Sequence, residues 1–438
     1  MADRAMVRLV QRTGFGAHPD EIAAVAGLEF ADAVDRRLRP AGADSGAVAT
    51  PPPRLESPRR PEKNAGKVDP EARKRHARAI RQQSQLLILW WLERMVAAEH
   101  PWTEKRTLLW HGHWATSIQK VRSAELMLRQ NETLRRLGAG DFGVLARALV
   151  MDPALMIWLD AGGNTAEAPN ENLARELMEL FTLGVGHYTE QDVRQAARAL
   201  TGWRMERRAG DIRFVPRRHT SGTQTILGRT ADFTPESLVD LLIGRPESAR
   251  HLAGRFWAWL VRETPPTPQS LDRIVRAYGA DRDTAAMFRA MLTDPAFTAA
   301  DSVLVKQPVE WLAGALRALR LRPGRLPEAQ RRQLINQLNG LGQVPFRPPS
   351  VGGWPSGAAW LTTSAAQTRI RIAAMLTRYA DLKTIADEPA AARADALAHV
   401  LGVPGWTGRT RAALSAAGGD PGRLVIVGLC APEYVVNG

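Results

Sequence analysis

A chain of 438 residues, 45% hydrophobic and 24% charged, is long enough to bury a substantial core and too apolar to be a disordered protein. The excess of 59 basic over 45 acidic residues favours anionic partners in general. However, the arginines are spread along the chain, and no nucleic-acid-binding module is recognisable. A single cysteine, Cys430, excludes a framework of intrachain disulfides.

The hydropathy of the chain predicts neither a membrane span nor a leader sequence. The N-terminus has no apolar stretch of signal-peptide length, and no segment approaches about 18 uninterrupted apolar residues. On this sequence the protein is expected to be cytoplasmic.

Apolar periodicity predicts a mainly α-helical fold, in which a multi-helix globular body carries one small β-hairpin near residues 204–230. The two strands of that hairpin are expected at Ile212–Val215 and Thr225–Gly228. The predicted organisation is an N-terminal helical cap at 1–39, a Pro/Gly-rich linker at 40–68, a main helical domain at 69–375 and C-terminal helices at 376–438.

The helix predicted after Pro101 carries two histidines, His111 and His113, on either side of Gly112. Residues two apart point roughly 200° from each other in a regular helix, so both imidazoles face one site only if Gly112 loosens the helix or the helix ends there. A regular helix would leave one histidine as a core or surface residue. A broken helix would let the pair bind a metal or an anion.

The stretch 169–184 combines charge with an apolar helix. Leu173, Leu177 and Leu180 share one face, which must be buried. Glu176 and Glu179 lie within one turn of each other on a polar stripe, and two carboxylates this close need protons, cations or a metal if they are even partly buried. The alternative is a solvated edge, or pairing with arginines.

Several neighbours of this helix are also site candidates. Glu171 and Arg175 form an i, i+4 pair, and Asn170 begins the helix where free backbone N–H groups could hold an anion. Thr189 with Asp192 predicts a capping box, which explains both residues without chemistry. His187 lies beside a flexible glycine and has no such explanation, so it is a site candidate.

The loop 346–360 contains two tryptophans, Trp354 and Trp360, among glycines and prolines. This composition indicates a rigid wall, either of a ligand cleft or of the core. Trp110, in the helix of the two histidines, is expected to pack on Trp114, and its flat face would also suit sugar stacking.

Five sequence motifs resemble those of the bacterial domain-of-unknown-function family 1800 (DUF1800), over about residues 6–375. The motifs are Glu104–Arg106 with Leu108–Trp114, Pro169–Asn172 with Ala174–Gly184, Ala199–Trp203, Lys306–Glu310 and Val351–Pro355. The family has no settled reaction, so the resemblance implies no mechanism. It does imply frequent export and association with secreted sulfatase-like proteins.

This chain departs from the family pattern in two places. His111-Gly112-His113-Trp114 stands where the family has His-Asn-His-Phe, which keeps both imidazoles. His219-Thr220 stands where the family has His-Asp, which removes a carboxylate and counts against a metal role for the hairpin.

The leading hypothesis from the sequence is a hydrolase-type enzyme with a Glu/His/Arg cleft, acting on a small molecule or a polysaccharide. One glutamate of the pair would donate a proton while the other stays ionised, as in glycoside hydrolysis. The candidate catalytic residues are Glu176, Glu179, His111, His113 and Glu171. The candidate substrate-binding residues are Arg175, Asn170, His187, Trp110, Trp354 and Trp360.

Two alternatives stay open at this point. In the first, His111, His113, Glu176 and Glu179 bind a divalent metal that activates water or oxygen. In the second, the polar groups only fix the helix arrangement of a non-catalytic scaffold or binding protein.

Overall fold

The computed structural model describes residues 4–56, 58, 61, 63–64, 67–206 and 210–438. This part of the chain is mainly α-helical and contains four small two-stranded antiparallel sheets, so the predicted fold class is confirmed. No helix among the described residues is both long and apolar enough to cross a lipid bilayer.

The first half of the chain contains the following helices: α1 (Arg4–Arg12), α2 (Pro19–Ala23), α3 (Phe30–Leu38), α4 (Ser45–Val48), α5 (Pro70–Ala97), α6 (Trp102–His113), α7 (Ile118–Val121), α8 (Ala124–Leu137), α9 (Phe142–Val150), α10 (Pro153–Trp158), α11 (Glu171–Glu176) and α12 (Glu190–Ala199). A π-helix, Leu177–Thr182, continues α11 without a break.

The second half contains the following helices: α13 (Pro235–Ile243), α14 (Pro246–Leu260), α15 (Pro268–Tyr278), α16 (Thr284–Leu292), α17 (Pro295–Thr298), α18 (Pro308–Ala318), α19 (Glu328–Leu341), α20 (Thr363–Leu376), α21 (Lys383–Ala386), α22 (Arg393–Leu401), α23 (Gly408–Ala416), α24 (Pro421–Cys430) and α25 (Pro432–Val435). The strands are β1 (Lys63–Asn64), β2 (Lys67–Val68), β3 (Trp203–Glu206), β4 (Asp211–Phe214), β5 (Gln224–Ile226), β6 (Arg229–Ala231), β7 (Leu304–Val305) and β8 (Val436–Asn437). Each odd-numbered strand pairs with the next.

Many helices begin with a side chain that satisfies the free backbone N–H groups of the first turn. Asp69 accepts hydrogen bonds from the backbone N–H groups of Glu71 and Ala72 at the start of α5, and Asp152 accepts one from Leu155 in α10. A proline occupies the first position of both helices, where its fixed φ is suitable. The local sequence therefore determines where these helices start.

Helix α6 lies between two hydrophobic cores. It contributes Leu109 and Trp110, together with Trp114 directly after its end, to a core built largely from the N-terminal and middle helices. It contributes Leu108 to a second core that includes α5, α18 and α24. Because both sides of α6 are covered, polar as well as apolar residues of this helix are buried.

The two ends of the chain pack onto this body. Strand β8, near the C-terminus, pairs with β7. The Arg12 guanidinium of α1 donates hydrogen bonds to the carbonyl oxygens of Asn437 and Val261, over 2.8 Å and 3.1 Å. The domain boundaries inferred from the sequence stay a prediction, and both terminal segments contact the main body.

The first part of the predicted linker is packed against α5. The Thr50 carbonyl accepts hydrogen bonds from the Trp90 indole and from Arg94, over 3.2 Å and 3.1 Å. Gly46 lies so close to α5 that a Cβ there would be 1.8 Å from the Ala97 carbonyl oxygen. Residues 57, 59–60, 62 and 65–66 of the predicted linker lie outside the described residues.

The segment 203–231 forms two hairpins, so the prediction of one hairpin there is wrong in its pairing. Strand β4 contains most of the first predicted strand and pairs with β3, while β5 contains part of the second and pairs with β6. Strands β5 and β6 are joined by Leu227 and Gly228, which both have positive φ (49° and 79°). Two such residues form the tight turn that matches the twist of a hairpin, so β5 pairs with its immediate successor.

Candidate functional site

The candidate site is built on α11 and the π-helix that continues it. Asn170 caps α11, because its side-chain oxygen accepts a hydrogen bond from the Asn172 backbone N–H over 2.9 Å. Its amide donates to the Asp160 carbonyl over 3.2 Å. Asn170 was predicted as an anion seat, and here it satisfies the backbone of its own helix. Leu173 and Leu177 are buried as predicted, while Leu180 is partly exposed.

The change from α- to π-helix places the carboxylates of Glu176 and Glu179 on backbone segments of different helical geometry. Glu176 is the last residue of α11 and Glu179 lies in the π-helix, where hydrogen bonds span five residues instead of four. The Leu183 N–H accordingly bonds to the Met178 carbonyl over 2.8 Å. Single-turn π segments are frequent at functional sites because they redirect side chains.

Two imidazoles hold the end of the π-helix. His113 Nε2 donates to the Phe181 carbonyl over 3.1 Å, and His251 Nε2 of α14 donates to the Leu180 carbonyl over 2.9 Å. The two rings are neighbours, with centroids 6.1 Å apart. A helix end leaves its last carbonyls without partners, and these histidines supply the missing donors.

Both of these histidines are kept neutral. Burial, with Arg255 nearby, holds the pKa of His113 well below its usual value, and burial likewise lowers the pKa of His251. His113 is completely buried, and its Nδ1 has no hydrogen-bond partner among the described residues. His113 therefore acts here as a neutral donor to the helix backbone.

The two glutamates of the pair differ in their partners. Glu179 accepts a hydrogen bond of 2.5 Å from the Tyr188 hydroxyl. Glu176 is half-buried and has no hydrogen bond or ion pair with any described residue. Burial and the nearby Glu179 charge raise the pKa of Glu176, while burial and Glu179 raise the pKa of Tyr188. Glu176 therefore holds its proton more tightly than an exposed glutamate does, beside a Glu179 that is hydrogen-bonded to Tyr188.

Arg175 binds other carboxylates than this pair. Its guanidinium forms two hydrogen bonds to Glu190, of 2.7 Å and 2.8 Å, and one of 3.0 Å to Glu171. The Glu171–Arg175 pair was predicted, whereas the contact with Glu190 was not. Arg175 therefore ties α11 to the start of α12, whose predicted capping box is confirmed.

His111 lies on the opposite side of α6 from His113. Its Nε2 accepts a hydrogen bond from the Phe346 backbone N–H over 3.2 Å, and its ring packs edge-on to Trp91 and Trp354. Complete burial lowers its pKa to about 3. His111 is thus a neutral acceptor in the second core, away from the π-helix.

Gly112 does not interrupt α6, which continues to His113 and bonds the Trp114 N–H to the Trp110 carbonyl over 2.8 Å. The two histidines therefore do not share a site, as expected for a regular helix. Gly112 faces Trp259, whose ring would be in van der Waals contact, at 3.4 Å, with a Cβ at this position. Its carbonyl is so close to Gly353 that a Cβ on Gly353 would be 2.3 Å from the carbonyl oxygen.

The proposed metal ligands do not converge. His111 and His113 face different cores, so they do not fit a four-ligand set with Glu176 and Glu179. Within the described ranges, no group of three or more His, Cys, Asp or Glu side chains is arranged to hold a metal ion.

The three tryptophans proposed for substrate binding are all buried. Trp110 is fully buried and donates its indole N–H to the Gly138 carbonyl over 2.8 Å. Trp354 packs on His111, and Trp360 is 2% exposed. Their rings leave little surface for a sugar. His187 is exposed in the turn that follows the π-helix.

Tyr188 and His251 are the site residues that the sequence interpretation missed. Tyr188 follows His187 directly, and its hydroxyl binds Glu179, nine residues earlier in the chain. The short turn after the π-helix could therefore have indicated this contact from the sequence. His251 is 71 residues from the carbonyl it binds, and no local pattern in α14 indicates this contact.

A buried ion-pair cluster holds α6 against α5 and α8. The Glu104 carboxylate, 1% exposed, accepts hydrogen bonds from Arg94 Nε (2.6 Å), from two nitrogens of Arg135 (2.8 Å and 2.7 Å) and from the Trp91 indole (2.9 Å). Despite burial, the charge of Arg135 and then that of Arg94 keep the pKa of Glu104 below its usual value. One carboxylate thus joins α5, α6 and α8.

A second buried cluster joins α6 to α18. Lys105 forms an ion pair with Glu310, and both side chains are buried. Lys306 lies nearby with its ammonium 3.7 Å from the centroid of the Tyr434 ring, and Nζ has no hydrogen-bond partner among the described residues. Burial lowers the pKa of Lys306 to about 7.

The family model for a protein of unknown function, DUF1800, matches residues 8–436 of this chain. The match extends beyond residue 375, where the resemblance inferred from the motifs ended. No curated protein and no solved structure matches the chain. Because the model covers nearly the whole sequence, from α1 to β8, the chain belongs to the DUF1800 family.

Proposed function

We propose that this protein is a hydrolase-type acid–base enzyme whose reacting groups are Glu176 and Glu179, and that its substrate is a carbohydrate. The observation that carries the proposal is the asymmetry of the pair. Glu176 is half-buried, has no partner in the described part of the chain and has a raised pKa, whereas Glu179 is held by the Tyr188 hydroxyl. Two neighbouring carboxylates in different environments are typical of acid and base roles.

In this mechanism Glu176 donates its proton to the oxygen of the leaving group as the glycosidic bond breaks. Glu179 takes a proton from the water that attacks the sugar, or attacks the sugar itself. Tyr188 positions Glu179. His113 and His251 act only through the backbone carbonyls of the π-helix, and the Arg175 ion pairs hold the neighbouring turn.

The test is hydrolysis of a panel of polysaccharides and aryl glycosides by the wild type and by Glu176→Gln, measured as released reducing ends or phenol. Loss of a general acid is expected to lower the rate by roughly 10²–10⁴-fold. The loss should be smaller for aryl glycosides with good leaving groups, because these need less protonation. Glu171→Gln, on the same helix, is the matched control and should stay within about twofold of the wild type, because its contact with Arg175 is a surface ion pair.

Equal rates for Glu176→Gln and the wild type would contradict the role of Glu176. If the wild type hydrolyses no member of the panel, the carbohydrate assignment fails.

Removal of Glu176 should also leave the fold intact. Glu176→Ala is expected to raise the free energy of unfolding by roughly 0.5–1 kcal/mol, because no partner is left unpaired and the repulsion with Glu179 disappears. Since the folded-state pKa of Glu176 is raised, the stability gain should be present at neutral pH and vanish as the pH falls through that pKa. Urea denaturation at pH 7 and pH 4 measures both quantities.

The second candidate is a non-catalytic helical scaffold. It is favoured by the buried histidines, His111 and His113, which both bond to the backbone. In a scaffold, the glutamate pair would have no chemical role, and neither the wild type nor Glu176→Gln would hydrolyse any member of the glycoside panel. That outcome would favour the scaffold over the enzyme.

A further inference from the structure

A cavity of about 840 Å³ lies between the N-terminal helices and the ends of α5 and α18. Its apolar lining includes Val25, Val96, Leu316 and Leu321. None of its lining residues belongs to the glutamate pair or to the π-helix. Cavities of this size commonly enclose a ligand of drug-like dimensions.

Three of the arginines that line the cavity form ion pairs with glutamates. Arg37 and Arg317 both form ion pairs with Glu21, and Arg322 forms one of 2.7 Å with Glu93. Arg317 also donates to carbonyl oxygens at the end of α5, including that of Val96 over 2.8 Å. These contacts neutralise the acidic groups and the helix end that would otherwise repel an anion.

Three further lining arginines, Arg36, Arg39 and Arg320, are exposed, and their guanidinium groups have no hydrogen bond or ion pair with any described residue. Arg320 has a φ of 52°, a left-handed conformation that non-glycine residues seldom adopt. Two further acidic residues belong to the lining: the Asp20 carboxylate is exposed and lies 3.3 Å from His18 Nδ1, and Glu99 accepts a hydrogen bond from Ser45. The cavity therefore combines an apolar wall with three free guanidinium groups.

We propose that this cavity binds a small organic anion, with an apolar body against the helix side chains and a sulfonate, phosphate or carboxylate group held by Arg36, Arg39 and Arg320. Guanidinium groups bind such oxyanions through strong, charge-assisted hydrogen bonds. An apolar body of suitable size would account for the hydrophobic wall. The site is separate from the proposed hydrolase centre and does not depend on it.

The test uses anilinonaphthalene sulfonate, whose fluorescence rises in apolar surroundings, titrated into the intact folded protein. Micromolar binding is expected for the wild type. The triple variant Arg36→Gln/Arg39→Gln/Arg320→Gln should bind the dye at least about tenfold more weakly, because charge-assisted contacts are lost. Its melting temperature should be unchanged, because the three guanidinium groups have no partner among the residues that the structure describes.

A matched control removes the same charge elsewhere, with Arg129, Arg229 and Arg409 replaced by glutamine; all three are exposed. This control should bind the dye as the wild type does. The uncharged analogue phenylnaphthylamine should bind the wild type at least about tenfold more weakly than the sulfonate does.

Equal binding of the dye by the triple variant and the wild type would overturn the proposal, as would equal weakening in the control, which would indicate net charge alone. Co-sedimentation with phosphatidylglycerol vesicles that is lost in the triple variant, without any change in dye binding, would assign the arginines to a membrane surface and also overturn it.

Discussion

Glu104→Gln is expected to lower the free energy of unfolding by roughly 3–5 kcal/mol, the usual cost of removing one partner from a buried ion pair. The carboxylate is 1% exposed and accepts hydrogen bonds from Arg94, Arg135 and the Trp91 indole. Glutamine has nearly the same shape, so the change removes the charge and leaves Arg94 and Arg135 without their shared buried counter-ion. Urea or guanidinium denaturation at pH 7 measures the loss.

Glu132→Gln provides the matched control, because Glu132 binds the same Arg135 but its side chain is 44% exposed. A pair exposed to this extent is worth about 1 kcal/mol or less. Similar losses for the two variants would show that the Glu104 cluster contributes no more than a surface pair.

Lys306→Met is expected to stabilise the protein by roughly 1–4 kcal/mol at pH 6, because it replaces an unpaired buried ammonium with an apolar side chain of similar length. The folded-state pKa of Lys306 is lowered from 10.5 to about 7. Below pH 7 the folded and unfolded states both carry the proton, and the folded state bears the full cost of burying the charge. Between pH 7 and 10.5 the unfolded state binds more protons, so the stability of the wild type should rise with pH.

The advantage of Lys306→Met over the wild type should therefore shrink as the pH rises from 7 towards 10. Thermal or chemical denaturation across this range measures it. Lys105→Met is the contrasting variant: it leaves Glu310 buried and unpaired, and should destabilise the protein at every pH in the range. A pH-independent effect of Lys306→Met would indicate that the buried amine does not titrate as proposed.

The parts of the fold that the sequence predicted correctly are those governed by local rules. The N-terminal segment predicted as a helical cap contains α1, α2 and α3, and the Thr189–Asp192 capping box is present. The apolar face of the central helix was found because helical spacing places Leu173 and Leu177 together. The divergence of His111 and His113 also followed from helix geometry, on the condition that Gly112 did not break the helix.

The features that could not be predicted depend on contacts between distant segments. The π-helix gains its end partners from His113 and His251, which come from two other helices. Spacing rules for α-helices placed Glu176 and Glu179 on one stripe, but the π turn changes that geometry. Lys105 and Glu310 are 205 residues apart, so nothing local to either residue indicates their ion pair.

The position of α6 between the two cores has a consequence for folding. Leu108 packs in one core and Trp110 in the other, two residues apart on the same rigid helix. Loss of either core would expose one side of α6 to water and remove the support of the other. The two halves of the molecule are therefore expected to unfold together in a single cooperative transition, and neither would persist as an independent fragment.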